Sequence, residues 1–358
     1  MSPMNKIFTG PTVRGAKGVA SRTWPGSTRE ALTAWFLFAQ KEAARNFSLG
    51  KPAGLEMVCP MNKIFSACLA ATSGGLWFVA PAHSAEWKFP CPEKEIARYT
   101  AFRIHEPIQI DGRLDEPAWQ RAPRSPRFVD ILSGQPARHD TRAAIVWDDR
   151  NLYLAYRVEE PFVHAKFTTN NSPIYYDNDV EFFIAGRDAY YEFEINAYNT
   201  TYEVFFIWED AYERGGFAAA PEFARANLKP FNGVDFKTHP RGQRLGQFDW
   251  HFPGKQTAVF IDGTVNDDTD RDRGWTVELA FPWPGLQWLA KADGRALPPK
   301  EGDEWRMDFS RFNTYKEALP AKDSAGWVWT RHGIWDSHVP ECFAIVRFTT
   351  NDVATAEK

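Results

Sequence analysis

Apolar and polar side chains alternate along much of the chain beyond residue 99, with the two-residue period that is typical of β-strands. Residues typical of turns separate the alternating runs. These runs predict strands at 143–147, 152–158, 180–184, 191–197, 202–208, 257–261, 275–281, 305–309 and 344–348. Helical periodicity is scarce, so the pattern predicts an all-β protein.

The alternation continues on both sides of a break at residues 209–246, where Gly, Pro, Ala and basic residues replace it. We therefore predict one β-sandwich of two antiparallel sheets over residues 99–349. The break is predicted to be a long surface insertion that lies outside the sheets. A second, shorter break at 286–299 predicts a helical turn followed by a loop.

Alternation also assigns faces to three of the predicted strands. In the run 191–197, Phe193 and its apolar neighbours point to one side and polar residues point to the other. The runs 180–184 and 305–309 divide in the same way. If these strands are neighbours, their polar sides form one surface rich in carboxylates and amides. The residues of that surface are Asp179, Glu181, Glu192, Glu194, Asn196, Arg306, Asp308 and Ser310.

Several motifs accompany the strands. In IDGRLDEPAW, residues 110–119, Asp111 and Gly112 form a tight turn after a strand that ends at Ile108 and Ile110. An apolar plug lies beneath this turn and consists of Leu114, Ala118 and Trp119. The later motifs are DNDVEFFI (177–184), YYEFEINAYNT (190–200), GWTVELAFPW (274–283), GDEWRMDFSRFN (302–313) and WDSHVPECF (335–343).

Taken together, these motifs resemble family 9 carbohydrate-binding modules. The resemblance implies an antiparallel β-sandwich, immunoglobulin-like or jelly-roll-like, of the DOMON-like group that binds haem or sugars. It implies a non-catalytic module that binds a poly- or oligosaccharide and takes part in polysaccharide degradation. Tyr175 and Trp335 occupy the places of the two ligand-stacking aromatic residues, and Tyr176 can support Tyr175. The remaining sugar-binding candidates are Glu181, Glu192, Glu194, Asn196, Asp308, Arg311 and His338.

The sequence also departs from the family. Where the family carries an amide and then an arginine, this chain has Glu192 and Glu194, so hydrogen-bond donors are replaced by acceptors. A glycoside hydrolase remains an alternative, because Glu181, Glu192, Glu194 and Asp308 can supply an acid and a nucleophile. A haem module is a second alternative. It needs an axial Met or His. Met307 is predicted to point into the core, and the histidines that keep this alternative open are His105, His164, His251, His332 and His338.

The first 85 residues differ from the rest. Residues 1–60 are aperiodic and carry eight Lys or Arg against three Glu. Residues 61–85 resemble a signal peptide, with Lys63 before an uncharged apolar stretch and then small residues. The pentapeptide MNKIF occurs at both Met4 and Met61, so we expect 1–60 to be a mis-annotated or disordered extension. The binding module then spans 86–358 and is exported, to the periplasm or the outside of the cell.

The composition limits the classes of partner that the protein is expected to bind. Aromatic residues reach 15% with 15 Trp, a surplus typical of proteins that stack rings on flat ligands. The net charge of the whole chain is −4, and the acidic excess lies beyond residue 85, which argues against nucleic acid or anionic membranes. A transmembrane segment is not expected after the signal, and separate glycoside hydrolases are expected to act beside the module. Cys91 and Cys342 can pair, although their spacing does not prove it.

The loop DGTVNDDTDRDRG, residues 262–274, concentrates side-chain oxygens. Such a loop suits Ca²⁺, which accepts oxygen ligands in flexible geometry. A structural calcium ion is therefore one reading, and neutralisation of the acids by Arg271 and Arg273 is the other. The candidate ligands are Asp262, Asn266, Asp268, Asp270 and Asp272.

Overall fold

A computed structural model of the protein describes residues 87–314 and 323–356, in which β-strands dominate. The strands are β1 Arg98–Arg103, β2 Val129–Asp130, β3 Thr141–Trp147, β4 Asn151–Glu159, β5 Asp179–Ala185, β6 Ala189–Asn196, β7 Thr201–Trp208, β8 Lys229–Phe231, β9 Arg244–Gln247, β10 Gln256–Asp262, β11 Gly274–Pro282, β12 Glu304–Phe312, β13 Gly326–Val328 and β14 Ala344–Asp352. The α-helices are α1 Pro117–Arg121 and α2 Gln287–Lys291. Each strand predicted from alternation is present, and the all-β fold is confirmed.

Short 3₁₀ turns join the strands. They are Glu93–Glu95, Ile174–Tyr176, Glu209–Ala211, Phe217–Ala219, Pro221–Phe223, Arg225–Asn227, Trp283–Leu286, Pro340–Cys342 and Val353–Thr355. The turn at Trp283–Leu286 runs into α2, as the break at 286–299 predicts. Across residues 87–314 and 323–356, no helix has the length and hydropathy needed to cross a membrane.

The strands are hydrogen-bonded in the order β10-β11-β4-β3-β1-β14-β12-β5-β6-β7-β9-β8, with β13 between β12 and β2. Most neighbours are antiparallel. The exception is β1, which runs parallel to both β3 and β14. It contacts β3 through Phe102 and Arg103 alone and β14 along its length, so it links the two layers of the sandwich.

Aromatic side chains fill the space between the layers. Phe182 of β5 stacks on Phe281 of β11 with ring centroids 5.6 Å apart, and Tyr156 of β4 meets Phe309 of β12 at 5.6 Å. These residues belong to one buried apolar cluster that draws on both layers. Met307 lies in the same cluster, as its alternation predicts. Burial of such large rings is the main stabilising contribution to the sandwich.

The segment 209–246 is more ordered than the sequence suggests. It contains β8 and the start of β9, and β9 pairs with β7 so that the sheet is extended past its predicted edge. The expectation that this whole segment lies outside the sheets is therefore wrong. Alternation misses both strands because they are short and contain Pro230 and Gly246, residues that disfavour a strand on propensity grounds.

The turn at residues 110–119 is held by a buried carboxylate on β11. Glu278 accepts hydrogen bonds from the backbone N–H groups of Asp111 and Gly112, at 2.9 Å each, and from the Trp119 indole at 2.6 Å. Leu114 and Trp119 are buried, as predicted for the apolar plug. The preceding strand differs from the expectation, because β1 ends at Arg103 and Ile110 lies in an irregular segment.

Cys91 and Cys342 form a disulfide bond, 251 residues apart in sequence. Cys91 precedes β1 and Cys342 precedes β14, so the bond ties together the two segments that lead into adjacent strands. Both cysteines are buried beside Val339. The predicted extension at 1–60 and the predicted signal peptide at 61–85 lie outside the described residues.

Candidate functional site

Strands β12, β5, β6 and β7 carry a polar row on the face that points away from the core. Their register places Ser310 opposite Glu181, Glu181 opposite Glu194, and Glu194 opposite Tyr202. Asp179 lies in the neighbouring row on one side. In the neighbouring row on the other side, Asp308 and Glu192 flank Phe183. We call this surface the carboxyl face; its residues are Asp179, Glu181, Glu192, Glu194, Asp308 and Ser310. The sequence predicts this grouping from alternation alone.

The carboxyl face is not a solvated surface. Its carboxyl groups are buried, because apolar residues of the turn at Ile174–Tyr176 and of the segment before β14 pack around them. Glu181 and Glu192 keep 6% and 5% of their surface exposed, so they are not completely enclosed. Ser310 donates a hydrogen bond to Glu181 at 2.7 Å.

Burial changes the protonation of these groups. Loss of hydration raises the pKa of Glu181 to about 8, with a further contribution from the negative charge of Asp308. Burial, followed by the charge of neighbouring carboxylates, also raises the pKa of Asp179, Glu192 and Glu194 well above the usual range. Several of these carboxyl groups therefore hold a proton at neutral pH. A protonated carboxyl donates as well as accepts a hydrogen bond, so the face can satisfy sugar hydroxyl groups in both directions.

Two histidines lie over the carboxyl face. The Nε2 atom of His332 is 3.3 Å from Asp308, and that of His338 is 3.4 Å from Glu192. Although burial disfavours the charged ring of His332, the charge of Asp308 prevails and raises its pKa. Burial lowers the pKa of His338 to about 3 despite the nearby charge of Asp336, so this ring is neutral at pH 7. On this surface, His332 is therefore the ring that favours the charged form, and His338 is the neutral one.

Some polar atoms of the face have no hydrogen-bond partner among the described residues. They are Oδ2 of Asp179, Oε2 of Glu194 and both carboxyl oxygens of Asp308, all fully enclosed. A buried oxygen without a hydrogen bond is costly, and native structures contain few of them. These atoms are therefore the candidates for direct hydrogen bonds to a ligand.

Aromatic rings flank the face on two sides. Tyr175 is 46% exposed, and its ring contacts Tyr202 of β7 with centroids 5.6 Å apart. Trp335 is half-buried against Phe312 of β12, at 5.1 Å, and above Gly326, which leaves no room for a side chain. Because β12 and β7 are three strand spacings apart, the two supporting rings are separated by about 14 Å across the sheet. Tyr175 and Trp335 thus lie on opposite flanks of the carboxyl face.

A family model described as carbohydrate-binding family 9 matches residues 133–222. This match confirms the family resemblance. Among curated proteins, none matches the chain. The matched region contains Tyr175, Glu181, Glu192 and Glu194, whereas Trp335 lies beyond it.

Three solved structures are similar to this chain. A Bacteroides uniformis protein is 16% identical with a TM-score of 0.42, covering 71% of this chain and 99% of its own. A family 9 module from Caldicellulosiruptor kristjanssonii in complex with cellotriose is 14% identical with a TM-score of 0.41, covering 73% and 98%. Its complex with glucose is 13% identical with a TM-score of 0.38, covering 71% and 97%. Likeness at this level carries no information about the ligand of this chain.

Two predicted family 9 site residues have other roles. The amide of Asn196 donates to the carbonyl of Phe167 and to Asp177, and its oxygen accepts from the backbone of Tyr198 and Thr200. All of its polar atoms are therefore occupied in the turn after β6. Arg311 points to the opposite side of β12 from Ser310, as the two-residue period requires. It is buried there and cannot contact a ligand on the carboxyl face.

Arg311 belongs to a second buried network, centred on Glu160. The Glu160 carboxylate accepts from Asn178 at 2.9 Å, Asn313 at 2.6 Å and the Trp275 indole at 2.9 Å, and it pairs with Arg311 at 3.3 Å. A cleft of 320 Å³ opens beside this network. Because the partners of Glu160 are all within the protein, the network stabilises the ends of β4, β5 and β12.

The acidic loop at 262–274 does not gather its side chains at one point. Asp272 accepts from the backbone of Val163 and Thr264, at 2.7 Å each, and Asn266 bonds to both backbone groups of Ala165. The remaining candidates have separate partners, namely Asp262 with Arg273, Asp268 with His164 and Asp270 with Thr264. Within the described ranges, no three His, Cys, Asp or Glu side chains form a group suited to a metal ion.

Sequence reasoning left several residues of the face out of the candidate site. Asp179 shares the alternation of Glu181, so its position was available from the pattern. Tyr176, which the sequence predicts only as support for Tyr175, is 43% exposed beside it, with ring centroids 4.6 Å apart. His332 is fully buried on Asp308, and it follows no strand pattern. Its role depends on the path of the segment between β13 and β14, for which alternation gives no signal.

Proposed function

We propose that the protein binds a poly- or oligosaccharide on the carboxyl face and does not itself catalyse a reaction. The observation that carries this proposal is the placement of Tyr175 and Trp335 on opposite flanks of a row of buried carboxyl groups. Flat rings stack on the C–H faces of a sugar, and the carboxyl groups between them bond to its hydroxyls. The family 9 match supports the same function.

The setting of this function follows from other features. The signal-like sequence at 61–85 and the buried disulfide support export, because disulfides persist in oxidising compartments. An exported sugar-binding module without catalytic machinery would act in carbohydrate catabolism beside separate glycoside hydrolases. A calcium ion in the loop at 262–274 stays a proposal for residues outside the carboxyl face.

Glycoside hydrolysis is the second candidate. Glu181 and Glu194 are directly opposite on β5 and β6, and such pairs have Cβ atoms about 4.5–5.5 Å apart. Retaining hydrolases use two carboxyl groups about 5–5.5 Å apart. However, a nucleophile must be ionised, and burial raises the pKa of both glutamates. Protonation of both groups therefore favours binding over hydrolysis. A haem site is disfavoured because Met307 is enclosed in the core.

The test begins with a glycan array probed with the purified protein, followed by calorimetry with the best ligand. We expect Trp335→Ala and Tyr175→Ala each to weaken binding by about 2 kcal/mol, roughly thirtyfold, since a buried aromatic anchor contributes that much. Trp288→Ala is the matched control, because Trp288 is also half-buried but packs on Phe217 and Phe223, away from the face.

Two results would change the conclusion. Unaltered affinity in both the Trp335 and the Tyr175 variant would reject the carboxyl face as the site. Glycan cleavage by the wild type that disappears in Glu181→Gln would instead make the protein a hydrolase.

A further inference from the structure

The carboxyl face has an unusual charge balance for a surface that binds sugar. Its five carboxyl groups form no ion pair with Lys or Arg within the described ranges, and the two histidines are their only cationic neighbours at ion-pair distance. His332 is held by Asp308, and His338 is neutral at pH 7. The charge of His332 also acts on Glu181. Asp179, Glu192 and Glu194 have no charged Lys, Arg or His at ion-pair distance in the described part of the chain.

Two observations besides the number of carboxyl groups point to a ligand here. The rings of Tyr175 and Tyr176 are exposed side by side next to the face, with centroids 4.6 Å apart, and form a surface on which a ligand can stack. The Oε2 atom of Glu194 is fully enclosed and has no hydrogen-bond partner in the part of the chain that the structure describes. A ligand that stacks on these rings and donates to this oxygen satisfies both features at once.

Resting on the proposed function, we propose that the ligand is a basic saccharide, an amino sugar whose free ammonium group binds between Glu181, Glu192 and Glu194. An ammonium group has three N–H donors and no acceptor, which complements a set of carboxylate oxygens. The negative face of an aromatic ring also attracts a cation, so Tyr175 and Trp335 favour the same ligand. A neutral sugar meets the carboxyl groups only through hydroxyls and gains no charge interaction.

Proton release accompanies this mode of binding. The free face holds protons because burial and mutual repulsion raise the pKa of its carboxyl groups. An ammonium group favours their ionised form, so each new ion pair releases one proton to solvent. Affinity therefore rises with pH until the carboxyl groups of the free protein ionise or the amine itself loses its proton. The titratable groups that face the cluster are Asp179, Glu181, Glu192, Glu194, Asp308, Tyr175, Tyr176, Tyr190, Tyr202, His332, Asp336 and His338.

The experiment compares three β-1,4-linked trimers that differ only at carbon 2, which carries a hydroxyl, a free ammonium or an acetylated amine. They are cellotriose, the glucosamine trimer and the N-acetylglucosamine trimer. Calorimetry with the full chain at pH 7 and 150 mM salt should show the glucosamine trimer bound at least tenfold more tightly than the other two. The apparent enthalpy should change between buffers of different ionisation enthalpy, since protons are released.

Isosteric variants locate the effect. Glu192→Gln and Glu194→Gln should each reduce the preference for the glucosamine trimer over cellotriose at least fivefold. Glu213→Gln makes the same chemical change at an exposed position in the segment 209–246, and it should keep the preference. This control excludes attraction of a cation to the net negative charge of the protein. Thermal unfolding of each variant verifies that it is folded.

The outcomes separate this inference from the proposed function. Equal affinity for cellotriose and the glucosamine trimer, both lost in Trp335→Ala, would leave sugar binding intact and overturn the amino-sugar assignment. Binding of none of the three trimers also overturns the assignment, and the glycan array then decides the proposed function. A preference that survives in both glutamine variants would place the ammonium elsewhere and equally reject it.

Discussion

Glu181 is a buried carboxyl group whose folded and unfolded pKa values differ widely. Burial raises the folded value to about 8, against 4.5 for the exposed group. The folded state therefore keeps a proton that the unfolded state loses, so the contribution of Glu181 to stability falls as pH rises from about 4.5 to 8. Glutamine mimics the protonated group. We expect Glu181→Gln to reduce the loss of unfolding free energy between pH 5 and pH 8 by at least about 1 kcal/mol.

Urea denaturation of the wild type and the variant at several pH values measures this difference. Glu213→Gln is the control, because it makes the same chemical change at an exposed position. Parallel pH dependence in the wild type and Glu181→Gln would show that Glu181 is ionised in the folded protein. That result would also remove the basis for proton release on ligand binding.

The face on which a side chain lies was predicted correctly wherever it follows from the two-residue period of a strand. Alternation placed Glu181, Glu192, Glu194 and Asp308 on one face, and the register brings them together. The same rule places Arg311 on the other face, against its assignment by family resemblance. Burial of the carboxyl groups could not be predicted, because it depends on segments far away in sequence that pack over the face.

At the scale of single elements, the turn at Asp111 and Gly112 shows why a motif has its sequence. Gly112 has φ +85°, and a Cβ atom there would lie 2.7 Å from the backbone of Val259 and Phe260 on β10. A strained backbone conformation usually costs about 1–3 kcal/mol. We expect Gly112→Ala to lower the free energy of unfolding by more than this, because a clash with backbone atoms is added.

Gly294→Ala separates these two costs. Gly294 also has a positive φ, +61°, but no atom lies within 4 Å of the Cβ position. Chemical denaturation should therefore show a clearly smaller loss in this variant. Equal losses in the two variants would mean that conformational strain alone, and not the approach of β10, requires glycine at 112.

Predictability of the elements follows their length and composition. Long alternating runs such as β4 and β11 are recovered to within two residues. The missed strands include β2, β8 and β13, which have two or three residues and no period to detect. Such strands form because a neighbouring strand offers hydrogen bonds, and the local sequence carries no signal of that tertiary contact.

For the whole molecule, the disulfide between Cys91 and Cys342 is the longest-range covalent constraint. In the chain-entropy account, closing a loop of this length stabilises the folded state by restricting the unfolded one. We expect the double variant Cys91→Ser and Cys342→Ser to lose about 2–5 kcal/mol of unfolding free energy. In denaturation experiments, the oxidised wild type should have the highest midpoint. The reduced wild type and the variant should have lower midpoints that are similar to each other. Three coincident midpoints would contradict a stabilising role.

The parallel pairing of β1 with β14 has a consequence for the timing of folding. Strand β1 is among the first to be synthesised, and its main partner follows far behind, as the 251-residue separation of the adjoining cysteines shows. At synthesis rates of about 5–20 residues per second, the partner arrives roughly 12–50 s later. Over that interval the hydrogen-bonding groups of β1 toward β14 are satisfied by water or by a chaperone. The ribosome, and not the intrinsic folding speed of the sheet, therefore sets the earliest moment at which the sandwich can be completed.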